Sequence, residues 1–182
     1  LVAVSGGADS MALLLLLSAL APSLGISIEA AHYEHGIRGE GSQEDAQFVQ
    51  AFCAGQSIPC HVGHGDVPAL ACWRRISLED AARQARYAFL DDTAEAVGAP
   101  KIALAHQMED QAETLLLHLV HGSGITGLSG MRPALGNRIR PLLETPRAEL
   151  EVYLAGQNIP WREDATNTDT HHARNLLRHE VF

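Results

Sequence analysis

Short apolar runs alternate with longer stretches of helical period along this chain. Leu1–Val4 is apolar and β-branched up to a Ser-Gly-Gly, which predicts a buried strand. Asp9 or Ser10 can cap a helix over Met11–Leu20 that stops near Pro22 and Gly25. Ile26–His32 predicts a second strand, and a polar turn over Glu34–Gly41 follows. Ser42 with Asp45 is an S-x-x-D capping signal for a helix reaching Gly55. Cys60–Gly65 predicts a third strand, and residues 66–76 read as loop or weak helix. Ser77 with Asp80 opens a long Ala/Arg-rich helix to Val97. Lys101–Ala105 is a fourth strand, Glu109–His121 a helix, and Gly122–Gly130 a loop. Arg138–Leu142 is the fifth strand. Pro146–Gln157 is a helix with Pro in its first turn, and a last helix is predicted near Ala173–Glu180.

Strands alternating with helices at this spacing predict an α/β fold: a doubly wound, mostly parallel five-stranded sheet with helices on both faces. Crossovers in such sheets are right-handed. Ligands bind beyond the carboxyl ends of the strands, where the strand order reverses. The chemically unusual residues here all follow predicted strand ends.

Composition narrows the picture. The chain has 182 residues, 46% of them hydrophobic, enough for a real core. Thirteen basic against 22 acidic residues give a net charge of −9, which argues against a free-standing nonspecific nucleic-acid binder. The imbalance is local. Residues 132–182 carry seven basic and seven acidic side chains, so a polyanion contact is expected there rather than earlier. Cys53, Cys60 and Cys72 form no CxxC pair and fit reduced thiols in a cytoplasmic protein. The apolar run Met11–Leu17 is too short to span a membrane, which takes about 20 residues. The opening at Leu1, without Met, is taken as a natural start lost or trimmed.

Five segments carry candidate chemistry. In Ser5-Gly6-Gly7-Ala8-Asp9-Ser10, two glycines leave backbone amides unobstructed, the next helix offers its positive end, and two hydroxyls add donors. This suits a pyrophosphate-sized anion. Asp9 would repel that anion unless a cation bridges them, which implies Mg2+. A plain glycine turn capped by Asp9 is the alternative. The segment has neither the Lys of a Walker A loop nor the G-x-G-x-x-G of dinucleotide folds. His32-Tyr33-Glu34-His35-Gly36-Ile37-Arg38 suits nucleotide phosphates or is a polar turn; zinc is discounted for want of a third ligand. Glu79, Arg83 and Arg86 share a helix side, as a solvated charged face or with an Arg aimed at phosphate. Glu109, Asp110 and Glu113 beside His106 either cap a helix or hold a cation or nucleophile. Arg174 and Arg178, four apart in the tail, are a solvated edge or a phosphate contact.

Together these residues resemble a known family. SGGADS resembles the signature of the PP-loop, or N-type, ATP pyrophosphatases. HGIRGEGSQEDAQFV, SLEDAARQARYAFL, ALAHQMEDQAETLLLHLVHGSGITGLSGM, RIRPLLETPRAELEVYL, IPWREDATN and ARNLLRHEV resemble, in order, the blocks of tRNA(Ile)-lysidine synthetases. The resemblance implies one Rossmann-like PP-loop catalytic domain over 1–182, with 145–182 a helical extension of it. The further tRNA-binding domains common in the family are expected to be absent from this chain. It implies an enzyme that uses ATP and Mg2+ to adenylate the C2 oxygen of cytidine 34 in tRNA(Ile) with a CAU anticodon. The amine of free L-lysine then displaces AMP. It implies that Ser5, Gly6, Gly7, Ala8, Asp9 and Ser10, with His35 and Arg38, bind ATP and its pyrophosphate. Asp9, Arg83, Asp110 and Glu113 are implied as catalytic, Asp9 also as the metal residue, and Arg174 and Arg178 as tRNA or phosphate contacts. No membrane partner is expected, and homodimerisation stays open. The family commonly has paired aspartates where this chain has Glu109-Asp110. Cytidine 2-thiolation and a non-catalytic ATP-binding module are the competing readings.

Overall fold

The computed structural model describes residues 1–37, 39–120, 122, 124 and 129–162. The predicted helix near Ala173–Glu180, and with it Arg174 and Arg178, lies outside them, as do Arg38 and most of the Gly122–Gly130 loop. Six strands and six helices alternate along the described chain. They divide into two compact units. The first comprises Leu1–Gly6 and Leu14–Ala103, the second Gly7–Leu13 and the chain from Leu104 onward.

In the first unit, β1 (Val2–Ala3), β2 (Ala30–Glu34), β3 (Cys60–His64) and β4 (Ile102–Ala103) lie in the order β3-β2-β1-β4. All pair in parallel: Val2 with Ala30 and with Ala103, and Ala30 with Cys60. Helix α1 (Ala8–Leu24) leads from β1 to β2, α2 (Glu40–Gly55) from β2 to β3, and α3 (Val67–Arg74) with α4 (Leu78–Ala96) from β3 to β4. The order grows in one direction through β3 and then jumps back across β1. Right-handed crossovers therefore put α4 on the face opposite α1 and α2, the doubly wound arrangement. Val2, Val4, Ala30, Ala31, Val49, Leu90 and Ile102 are buried between these layers. His32 is the polar member of that core. Its Nδ1 lies 2.8 Å from the Val4 carbonyl, and burial, only partly offset by that bond, pushes its pKa down.

In the second unit, Leu104, directly after β4, donates to the Ile139 carbonyl at 2.9 Å. The strand expected over Arg138–Leu142 is shorter, β6 (Arg138–Ile139). It pairs antiparallel with β5 (Ala134–Leu135) across Gly136-Asn137, so six strands replace the expected five. Helices α5 (Met108–Val120) and α6 (Arg147–Gly156) complete the unit around Met11, Leu13, Leu142, Leu143, Leu150 and Leu154.

Other boundaries moved for local reasons. Helix α2 starts at Glu40 with Gly39 as N-cap and no side-chain cap, so Ser42 lies buried inside the first turn instead of capping it. Residues 67–74 are a true helix, because Asp66 accepts the Ala69 N–H at 2.9 Å and Pro68 fits the first turn. Pro146 is the N-cap of α6 rather than its first residue. Ser77 caps α4 as expected, accepting the Asp80 N–H at 3.0 Å while its hydroxyl donates to Asp80. No helix among the described residues is long and apolar enough to cross a membrane.

Candidate active site

The chain leaving β1 turns through Ser5-Gly6 into α1. Gly6 has φ +93°, a conformation L side chains rarely adopt, so this bend needs glycine. Ser5 is exposed, while Gly6, Ala8 and Ser10 are buried. Ser10 Oγ donates to the Gly7 carbonyl at 2.9 Å, and the Met11 N–H reaches the same oxygen at 3.0 Å. The Ser10 hydroxyl thus braces the first turn of α1. Asp9 is half-buried at the start of that helix.

The chain leaving β4 reaches His106 and then Gln107, which is fully buried and caps α5. The Gln107 side-chain oxygen accepts from the backbone N–H of Glu109 and, at 3.2 Å, of Asp110. Asp110 Oδ2 accepts the Gln107 N–H in return at 3.2 Å. This is a reciprocal cap, so the plain reading of Asp110 as a capping residue is realised, through one of its oxygens. Glu109 has a different task. Both of its oxygens accept the Arg147 N–H, at 3.2 and 3.1 Å, and the Met108 N–H donates to the Thr145 carbonyl at 3.1 Å. The N-termini of α5 and α6 are therefore bolted together, with Glu109 supplying the cap that Pro146 lacks. Glu113, one turn along α5 from Asp110, is fully buried.

Arg147 was not singled out in the sequence. Its Nε donates to Glu151 at 2.8 Å. Burial works against its charge, but the bond to Glu151 and the fields of Asp9, Glu151 and Asp110 outweigh burial and raise its pKa. Asp9 and Asp110, in the first turns of α1 and α5, both contribute to that shift. A signal for it existed: Arg at a helix N-terminus opposes the dipole and calls for an acidic environment. His106 is tied into the same unit. Its Nδ1 accepts from Arg140 Nε at 3.2 Å, and Arg140 donates to the Arg132 carbonyl at 2.8 Å. Gln111 pairs with the Met131 backbone at 3.1 and 2.7 Å.

Other expected residues lie in the first unit. His35 follows β2, half-buried and edge-on to Tyr33 at 5.1 Å. Arg83 is exposed on α4, with no ion pair to Glu79 among the described residues. Arg86 lies 5.5 Å from the Tyr87 ring, and its buried Nε has no partner among the described residues. Cys53 and Cys60 share a thiol hydrogen bond that pushes Cys53 up, with burial, and pulls Cys60 down. Cys72 is exposed. No group of three His, Cys, Asp or Glu among the described residues forms a cage for a metal. Asp9, half-buried at the start of α1, would suit magnesium that takes its remaining ligands from phosphate and water, and does not fit a metal held by protein alone.

A Gly-bent loop after the first strand, helix N-termini and a carboxylate–guanidinium cluster after the fourth define a nucleotide-binding α/β protein of the phosphate-loop kind. The chain belongs to the PP-loop domain family, whose model matches residues 1–182. It is 50% identical over 183 residues to the tRNA(Ile)-lysidine synthase of Geobacter sulfurreducens, covering 99% of this chain and 38% of that protein. It is 43% identical to that of Thermosipho africanus over 182 residues, all of this chain and 42% of that protein. The chain thus spans about two fifths of the length of these relatives. In fold it is similar to the U34-tRNA thiolase NcsA from Methanococcus maripaludis, solved with its [4Fe-4S] cluster. The TM-score is 0.76 and the identity 16%, over 97% of this chain and 64% of that one.

Proposed function

We propose that this chain is the ATP-using catalytic part of a cytoplasmic tRNA(Ile)-lysidine synthase. It ligates free L-lysine to C2 of cytidine 34 in tRNA(Ile) with a CAU anticodon. The carrying observation is the glycine bend after β1 with Asp9 in the first turn of α1, together with Asp110 in the first turn of α5 after β4, in a chain whose relatives bear that enzyme name.

In the first step the C2 oxygen attacks the α-phosphorus of ATP and pyrophosphate leaves. In the second, the lysine ε-amine forms a bond to C2, AMP departs with the electron pair, and the nitrogen loses a proton. The carbonyl oxygen is a weak nucleophile, so positioning and charge stabilisation carry the first step. Ser5, Gly6, Gly7, Ala8 and Ser10 would cradle the phosphates with backbone N–H groups and the start of α1. Magnesium, when bound, supplies positive charge against the leaving pyrophosphate, and Asp9 would hold it. Asp110 would hold the lysine ammonium and take its proton, with Glu113 adding negative charge from the same helix. Arg83 would meet the transferred group, His35 and Arg38 the nucleotide, and Arg174 and Arg178 the tRNA.

Cytidine 2-thiolation has less support. The fold neighbour is a thiolase, but the likeness extends only to fold, and the cysteines make no cluster-binding group among the described residues.

The test is mass spectrometry of cytidine 34 after incubation with ATP, Mg2+, isotope-labelled lysine and unmodified CAU-anticodon tRNA(Ile). Two proteins are compared: this chain, and a chimera in which it replaces the matching segment of the Geobacter relative. A labelled lysine adduct from the chimera, abolished by Asp9→Ala, is expected. A folded chimera that binds tRNA and ATP but forms no adduct overturns the proposal.

A further inference from the structure

Residues 1–131 are acidic as a whole, yet their charge is unevenly placed. Residues 73–87, the end of α3 and the first half of α4, hold four arginines and two carboxylates, whereas the rest of 1–131 holds two basic and thirteen acidic side chains. In this stretch Trp73 is 78% exposed, so its indole adds nothing to the core. Arg74 Cζ lies 5.8 Å from the centre of that ring, and its Nη1 donates to Gln84 Oε1 at 2.6 Å. The guanidinium is thus braced between the indole on α3 and the side of α4, beside position 83. Arg75 and Arg83 are exposed, and their side chains form no hydrogen bond or ion pair among the described residues. The nearby carboxylates do not neutralise them. Asp80 accepts the Ser77 hydroxyl at the α4 cap, and neither it nor Glu79 pairs with an arginine among the described residues.

Arg75 carries a second sign. It ends α3 in the left-handed conformation, φ +55°. Its N–H donates to the Cys72 carbonyl at 3.4 Å, and the Ile76 N–H to that of Ala71 at 3.2 Å. Helices that close in this way commonly do so on glycine, which meets no steric cost there. The fold therefore does not ask for an arginine at 75 and would close more easily without one. A charged side chain at a strained position, beside an exposed indole and a braced guanidinium, finds its use in what it meets outside the protein.

An aromatic face that stacks on a base and arginines that track the backbone are the means by which proteins hold single-stranded nucleic acid. An acidic peptide would engage the arginines but offer the indole no planar partner. We propose that the Trp73–Arg75 end of α3, with Arg74 braced on α4, is a docking surface for single-stranded RNA: Trp73 stacks on an unpaired base, and Arg74 and Arg75 contact the flanking phosphates. This rests on the tRNA reading above and extends it. The surface leads to Arg83, which that reading puts at the transferred group, so the base on Trp73 belongs to the anticodon loop near cytidine 34.

The full chain is titrated, at several salt concentrations, with the CAU anticodon stem-loop of tRNA(Ile) and with a fully paired RNA of the same length. Trp161 is the other tryptophan. In Trp161→Phe the stem-loop should quench the remaining fluorescence and the duplex should not. Trp73→Ala should bind the stem-loop roughly five- to hundredfold more weakly, with an unchanged salt slope, as for one lost base stack. Arg74→Ala and Arg75→Gly should each weaken binding and lower the log–log salt slope by about 0.7, one single-strand phosphate contact. Arg75→Gly should do so with a thermal midpoint that stays level or rises; a purely structural Arg75 would lower stability and leave the salt slope alone. Full affinity in Trp73→Ala, or a duplex bound as tightly as the stem-loop, leaves only a general anion face and overturns the inference. A wild-type chain that binds no stem-loop at low salt overturns it too, whatever the chimera does. If the chimera binds tRNA but forms no lysidine, the catalytic reading falls, and the quench and the salt slopes still judge this surface.

Discussion

Asp110 serves two purposes with one carboxylate, and substitution can separate them. Its Oδ2 closes the reciprocal cap with Gln107, while its charge reaches Arg147. In Asp110→Asn the amide oxygen can still accept the Gln107 N–H, so stability should change little. Asp110→Ala should cost about 1 kcal/mol, as for a lost cap. Lysine transfer should fall at least about a hundredfold in both, because neither can hold or deprotonate an ammonium. Lysidine formation by the chimera at saturating lysine, with urea melts in parallel, checks both halves; unchanged transfer in Asp110→Asn would remove Asp110 from the chemistry. This residue also shows what the sequence could reveal of the site. Asp9, Ser10 and Asp110 stand out because each opens a helix that follows a strand. Arg147 lies 37 residues beyond Asp110, and the Glu109 and Met108 bonds to residues 145–147 bring it to that helix start. The Glu at position 109 is part of that joint, as both its oxygens meet the Arg147 N–H.

The loop after β2 is placed by close backbone packing rather than by its own turn. Gly65 donates to the Glu34 carbonyl at 3.0 Å, Val67 to that of His35 at 3.2 Å, and the Gly36 N–H to Glu34 Oε1 at 2.7 Å. A Cβ on Gly65 would overlap the Tyr33 hydroxyl, the nearest atom to it. Gly65→Ala should therefore displace Tyr33 and, through their edge contact, His35, at about 1–3 kcal/mol as for other overpacking. Tyr33→Phe removes the clashing oxygen, so the double variant should recover part of the loss. A double-mutant cycle of urea midpoints measures this, and strict additivity would show that the two do not meet. Elements of this kind were unevenly legible. The long helices and the parallel order follow from hydrophobic period and spacing. The start of α2 misled because S-x-x-D marks a cap only where the chain actually enters the helix, and Gly39 does that three residues earlier. The hairpin of β5 and β6 was half legible, since two-residue strands, one exposed and one half-buried, carry almost no alternation to read.

At the scale of the molecule, a buried histidine makes stability depend on pH in a definite direction. His32 is 5% exposed, with Nδ1 on the Val4 carbonyl in the parallel core. Burial lowers its pKa below the ordinary 6.5, and the pull of Val4, Asp45 and Glu34 the other way does not restore it. In the unfolded chain His32 titrates near that ordinary value. As pH falls below about 6.5, the unfolded state therefore takes up a proton that the folded state refuses, and stability drops. Above that value both states are neutral and the effect vanishes. The slope from one such group is at most about 1.4 kcal/mol per pH unit, and it ends once pH passes below the folded pKa. His32→Asn keeps a side-chain N–H near the Val4 carbonyl but cannot titrate. Chemical denaturation at pH 7.5 and 5.5 should show a loss of stability in the wild-type chain that is clearly smaller in the variant. The other nine histidines contribute to both proteins alike, so the difference between the two pH dependences isolates His32. Parallel dependences would mean that His32 takes up its proton in the folded core and that the Val4 bond, not burial, governs it.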